Sequence, residues 1–111
     1  MTCERSLDGI TVIDLSRHLP GPMASTMLSD HGAKVIRVDT SMGRAVHAGT
    51  QMPSLQRGKE TMLLDIKAPR GYELLIELVR RADVFLESGR PGSQADDRID
   101  YETLKAINPG L

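Results

Sequence analysis

Residues Gly9 to Asp39 read GITVIDLSRHLPGPMASTMLSDHGAKVIRVD, and the fold follows from how this stretch divides. Ile10, Val12, Ile13 and Leu15 form a short, mainly β-branched run, the pattern of a strand buried on both faces. Ser16 to Gly21 is a turn carrying two side chains able to be cationic, Arg17 and His18. Pro20 and Pro22 fix φ and suit the first turn of a helix, where a missing N–H costs nothing. Met23, Ala24, Met27 and Leu28 then recur at helical spacing, and Gly32 stands where a left-handed C-cap belongs. Val35, Ile36 and Val38 make a second strand ending at Asp39. The unit is βαβ. It brings the Arg17–Pro20 turn to the carboxyl edge of a parallel sheet, where open α/β sheets bind ligands.

Working outward, Thr61 to Ile66 (TMLLDI) reads as a third strand. Pro69 opens a helix. Leu74, Leu75, Leu78, Val79 and Ala82 give it an apolar stripe from Tyr72 onward, opposite Arg70, Glu73, Glu77, Arg80 and Arg81. Asp83 to Glu87 (DVFLE) is a fourth strand, followed by the glycine-rich turn Ser88 to Gly92. Asp100 is placed to cap a short helix marked by Tyr101, Leu104 and Ile107, which Asn108-Pro109-Gly110 stops. The expected fold is α/β: a partial Rossmann-like parallel sheet of about four strands with three flanking helices, one domain over residues 1–111.

The loops Ser16–Gly21, Lys67–Ala68 and Ser88–Gly92 should share the carboxyl edge, with Thr40 beginning a fourth. Their amides, together with Arg17, Lys67 and Arg90, suit phosphates. No GxGxxG follows the first strand, so an ordinary dinucleotide fingerprint is absent. Thr40 to Lys59 has no acidic residue but contains Arg44, His47, Arg57 and Lys59. It reads equally as an anion-facing loop or as a solvated surface segment.

Composition narrows the function classes. The chain has 111 residues, 40% hydrophobic and 26% charged, so it can hold a single small core built without Trp. Fourteen basic residues against 15 acidic ones give a net charge of −1 and no basic face for nucleic acid. Cys3 is the only cysteine, which excludes an internal disulfide and a cysteine metal site. The N-terminus lacks the apolar core of a signal peptide and no run approaches the ~18 residues of a membrane span, so a cytoplasmic protein is expected. The three histidines share no metal-ligand spacing, and no metal is expected. Asp14 and Asp65 could suggest acid/base work, but a strand-end Asp more often bonds loop amides. His18 and His31 read as surface residues, and the six methionines as soft core.

The pieces LDGITVIDLSRHLPGPMASTMLSDHGAKVIRVD, RGKETMLLDIKAPRGYELLIELVRRADVFLES, RPG and DYETLKAINPGL resemble, in order and spacing, the N-terminal segment of the family III CoA-transferases. That family includes the α-methylacyl-CoA racemases and carnitine CoA-transferase. The resemblance implies a CoA-binding Rossmann-type domain. It implies an enzyme that moves CoA between carboxylic acids through an aspartyl intermediate or, alternatively, epimerises an acyl-CoA with a His and an Asp. A non-catalytic CoA- or nucleotide-binding module is a further alternative. The family's catalytic residues fall beyond the position matching Leu111, so no catalytic residue is expected here, and 111 residues correspond to an N-terminal piece. The family's CoA contacts carry over to Arg17, His18, Leu19, Pro20, Thr40, Leu64, Lys67, Ser88, Gly89 and Arg90. Thr40 stands where relatives often have Arg, and Ser88-Gly89 where they usually have Asn-Phe. The implied partners are CoA or acyl-CoA and a second copy of the chain, self-associating through an uncovered sheet edge or face.

Overall fold

In the computed structural model, which describes residues 4–40 and 53–111, the alternation of side chains along each strand divides the molecule into three layers. Four parallel strands form the middle: β1 (Thr11–Asp14), β2 (Lys34–Asp39), β3 (Lys59–Leu63) and β4 (Val84–Leu86). Their spatial order is β3-β2-β1-β4. Helix α1 (Pro20–Asp30) covers one face; α2 (Pro69–Arg80) and α4 (Tyr101–Ile107) pack on the other, with the one-turn helix α3 (Ser93–Asp96) between β4 and α4.

The register pairs Val12 with Val35 and with Val84, and Ile13 with Ile36 and Phe85. Successive residues point to opposite faces, so Ile13 and Val38 join Leu75, Ile76, Val79 and Leu104 in the larger core, while Val12, Val35 and Ala33 form a smaller one under α1. The expected α/β sheet of four strands is present. The second βαβ unit, however, does not join neighbours. After α2 the chain passes β2 and places β4 on the far side of β1. That reversal creates a switch point between β1 and β4, where such sheets bind ligands.

Local signals set most element ends. Helix α1 closes in a Schellman motif: Gly32 has φ +109°, its N–H donates to Ser29 O at 3.0 Å, and Ala33 N–H donates to Leu28 O at 3.1 Å. Asp100 caps α4 by accepting from Thr103 N–H at 3.1 Å and from the Thr103 hydroxyl at 2.7 Å. Asn108 does more than stop α4. Its Nδ2 donates to Val79 O and Ala82 O, both at 2.8 Å, tying the ends of α2 and α4 together.

Three expectations need correction. Strand β3 spans Lys59–Leu63 rather than Thr61–Ile66. Leu64 and Ile66 lie past its end, buried under α2, whereas Leu63 is 54% exposed on this edge strand. In α2, Ile76 is buried and Leu74 is exposed. Helix α1 is the largest departure. Met23 and Met27 face outward, Met27 with 58% exposure, and the buried residues are Ser25, Thr26 and Ser29. The hydroxyls have polar partners there: Ser25 donates to the Asp14 carboxylate, Thr26 to Leu55 O at 3.0 Å and Ser29 to Gly58 O at 3.2 Å, contacts that methionine could not make.

Candidate functional site

Parallel strands deliver their following turns to one rim, and here the rim encloses a cleft of about 430 Å³. Arg17 and His18 enter it from the β1–α1 turn, Asp39 and Thr40 from the end of β2, Asp65 and Lys67 from the β3–α2 turn, and Ser88, Gly89 and Arg90 from the turn after β4. The three cations expected from sequence, Arg17, Lys67 and Arg90, therefore line a single cavity. Leu19, Pro20 and Leu64 do not line it. Leu19 and Pro20 sit at the start of α1, and Leu64 is part of the core. Arg44 and His47 lie outside the described residues. Arg57 and Lys59 are turned elsewhere: Arg57 pairs with Asp30 at 2.7 Å, and Lys59 is buried beside Asp14.

The switch point is closed by backbone. Leu15 N–H donates to Leu86 O at 2.8 Å, and Arg17 N–H donates to Ser88 Oγ at 2.8 Å. The β1 turn and the β4 turn thus hold each other. The Arg17 guanidinium reaches the Thr40 hydroxyl at 3.4 Å, a long contact between two residues that both line the cleft. His18 adopts φ +65°, uncommon for a residue with a side chain, and this bend turns the chain sharply into α1. Gly21 is required just after it: a Cβ there would stand 2.2 Å from Ser16 Cβ.

The β4 turn is built by residues that sequence reasoning missed. Glu87 accepts from Gly89 N–H at 2.6 Å and from Gln94 Nε2 at 2.8 Å, and Gln94 also donates to Gly89 O at 3.1 Å. Ser93 Oγ donates to Arg90 O at 2.7 Å. The charge pattern is mixed. Lys67 Nζ lies 4.0 Å from Asp97 Oδ1, so an acidic side chain already faces one of the three cations. Asp65 accepts from Lys67 N–H at 3.1 Å and Asp14 from Ser16 N–H at 2.8 Å, the loop-amide roles expected of strand-end aspartates. Among the described residues, no group of three His, Cys, Asp or Glu side chains comes together as a metal site. No helix among the described residues is long and apolar enough to cross a membrane.

Residues 7–111 match the family profile described as CoA-transferase family III. The chain belongs to this family. It is 40% identical over 106 residues to α-methylacyl-CoA racemase of Homo sapiens and 35% identical over 117 residues to succinyl-CoA–D-citramalate CoA-transferase of Chloroflexus aurantiacus. Each comparison covers 96% of this chain but only 26% and 29% of the relative. Crystal structures agree. The D175A mutant of Rv3272 from Mycobacterium tuberculosis superposes with a TM-score of 0.87 at 30% identity, over 99% of this chain and 32% of that one. A CAIB/BAIF family protein from Brucella suis gives 0.84 at 33% identity, over 96% and 32%. The family III chain described here thus spans between a quarter and a third of the length of the relatives it matches.

Proposed function

We propose that this chain supplies the CoA-binding part of a family III enzyme that transfers CoA between carboxylic acids, with the phosphates of CoA seated in the cleft at the β1/β4 switch point. The observation that carries the reading is the convergence of Arg17, Lys67 and Arg90 on one cavity at the carboxyl edge of the sheet. Arg17 is the central contact. Its amide is fixed on Ser88, and its guanidinium stands where a planar fork can take a phosphate through two bonds. His18 and Thr40 line the β1 and β2 side of the cavity, and Ser88 and Gly89 the β4 side. The aspartyl chemistry of transfer is assigned to no residue of this chain, and these 111 residues alone should not turn over a CoA thioester. Racemisation of an acyl-CoA remains the second reading, favoured by the 40% identity to the human racemase.

Self-association and a cytoplasmic location belong to the same proposal. Among the described residues strand β3 lies at one edge of the sheet and carries Met62 and Leu63 exposed, a surface suited to a second copy. Calorimetry with CoA tests the site: micromolar binding that Arg17→Ala weakens about tenfold, roughly the loss of one charge-assisted phosphate contact, supports it. No heat of binding with CoA would refute it. Sedimentation that shows a monomer at all concentrations would remove the self-association.

A further inference from the structure

Below the cleft, four pieces of the chain meet at one buried carboxylate. Asp14, the last residue of β1, has its side chain 1% exposed; Lys59, the first residue of β3, is equally buried. Lys59 Nζ lies 3.7 Å from Asp14 Oδ2 and donates to Pro22 O of α1 at 3.0 Å. Asp14 Oδ1 accepts from the Ser16 N–H at 2.8 Å and from the Ser16 hydroxyl, while Oδ2 accepts from the Ser25 hydroxyl. Neither Asp14, Ser25 nor Lys59 lines the cleft. Ser16 does, and it immediately precedes Arg17.

We propose that Asp14 and Lys59 are positioning residues for the anion-binding turn: Lys59 holds Asp14 by pairing with it inside the protein, and Asp14 holds Ser16 and thereby Arg17 in place. The proposal rests on the CoA reading of the cleft. Its physical basis is donor count. An ionised carboxylate offers acceptor sites on both oxygens, enough for Ser16 N–H, Ser16 Oγ and Ser25 Oγ together. Without a cation beside it, a carboxylate this deeply buried is an uncompensated charge, and the turn built on it rearranges. Burial pushes the Lys59 ammonium below its ordinary value; the Asp14 charge opposes that shift and Arg37 of β2 adds to it. The charged groups facing Lys59 among the described residues are thus Asp14 and Arg37, while α1 contributes the Pro22 carbonyl.

A merely structural pair would lower the melting temperature and leave the turn intact in whatever remains folded. The test therefore follows the Ser16 and Arg17 amides by hydrogen exchange in the ligand-free chain, and CoA affinity by calorimetry, well below each melting transition. Lys59→Met, Lys59→Arg and Ser16→Ala are compared with Val79→Ala, a core truncation on the opposite face of the sheet. Lys59→Met should speed exchange at both amides and weaken CoA by about tenfold relative to Val79→Ala, with Lys59→Arg restoring most of the loss. Ser16→Ala, which spares the buried pair, should speed exchange at Arg17 alike. Unchanged protection in Lys59→Met overturns the proposal. If Lys59→Met does not fold, unchanged protection of Arg17 in Ser16→Ala overturns it instead. Should the unsubstituted chain bind no CoA, the CoA reading falls while the amides still decide the positioning role.

Discussion

Replacing Gly71 with alanine should do far more damage than its place in the first turn of a helix suggests. Elsewhere in a helix the change is favourable by roughly 0.5–1 kcal/mol, because alanine loses less backbone freedom on folding. At Gly71, however, a Cβ would stand 1.9 Å from the Asp65 carbonyl oxygen and 2.6 Å from its carbon, where real Cβ atoms essentially never come within 3.0 Å. The obstacle is backbone, so no side chain can swing aside. Helix α2 and the β3–α2 turn must separate by more than an ångström, and Asp65 is not free to follow. Its carbonyl accepts Ala68 N–H at 3.1 Å, and its carboxylate accepts Lys67 N–H at 3.1 Å. Overpacking against a fixed wall costs about 2–3 kcal/mol. For a chain of this length that lowers the melting temperature by roughly 9–13 °C. Gly110→Ala is the control: its Cβ would meet only Asn108 Oδ1, at 3.5 Å, and the melting temperature should move by less than about 2 °C. Thermal denaturation followed by circular dichroism reads both. Because the displaced turn carries Lys67, Gly71→Ala should also weaken CoA more than Val79→Ala does. A Gly71→Ala protein melting within about 3 °C of the parent would refute the close-approach reasoning.

Asp97→Asn removes the carboxylate facing Lys67 and should tighten CoA binding by about two- to fivefold, the scale of one exposed ion pair; weaker binding would show that Asp97 helps to hold the ligand. Raising NaCl from about 50 to 500 mM should weaken CoA binding several-fold, and less so in Arg17→Ala; salt-independent binding would deny the cations their role. Asp100 is held below its ordinary 3.8 by the Thr103 hydroxyl first and the Thr103 amide second. Its contribution to stability is therefore full above that ordinary value and lost as pH falls through the lowered one. Asp100→Asn should flatten this acid limb in urea titrations. Lys59 gives a slope of the same sign, at alkaline pH. Its pKa in the folded chain lies below the ordinary 10.5, so between the two values the unfolded chain binds more protons. The stability of the parent relative to Lys59→Met should therefore rise with pH across that window, and a flat difference would contradict burial of the ammonium.

What could be read before the structure, and what could not, follows from the range of the forces involved. Turn placement is local. Pro20, Gly32, Asp100 and the spacing of strand to helix are each decided within a few residues, and a parallel sheet then carries Arg17, Lys67 and Arg90 to the same rim whatever the order of its strands. Strand order itself is not local: nothing in DVFLE says that β4 lies beside β1 rather than β3. The boundaries of β3 were misjudged for a related reason. Residues 61–66 look like one strand, apolar apart from Asp65, yet Leu64 and Ile66 are apolar because α2 covers them after the strand has ended. On α1 the methionines point outward because sequence-distant groups, the Asp14 carboxylate and the Leu55 and Gly58 carbonyls, take its buried hydroxyls. Glu87 and Gln94 carried no legible signal, since their partners are amides and carbonyls of a turn whose shape they themselves determine.

If the cleft holds CoA as proposed, the composition of α1's first turn gives the reason that side chains would carry the recognition. In many nucleotide-binding sheets the helix after β1 offers its unpaired N–H groups to phosphate. Here the first and third residues of α1 are Pro20 and Pro22, so two of those donors do not exist. Gly21 lies between them under Ser16, and the first amide to enter the helical ladder is that of Met23, on Leu19 O. The helix end can still exert its dipole, but it offers an anion two fewer amides than a helix without those prolines. An anion entering from the carboxyl edge meets instead the side chain of Arg17, bent into place by the left-handed His18 and anchored through its own amide to Ser88. Arg90 and Lys67 stand on the flanking turns of the same cleft. Such a site depends on turn geometry more than on helix geometry. That dependence gives the buried Asp14–Lys59 pair under Ser16 a consequence for binding as well as for folding.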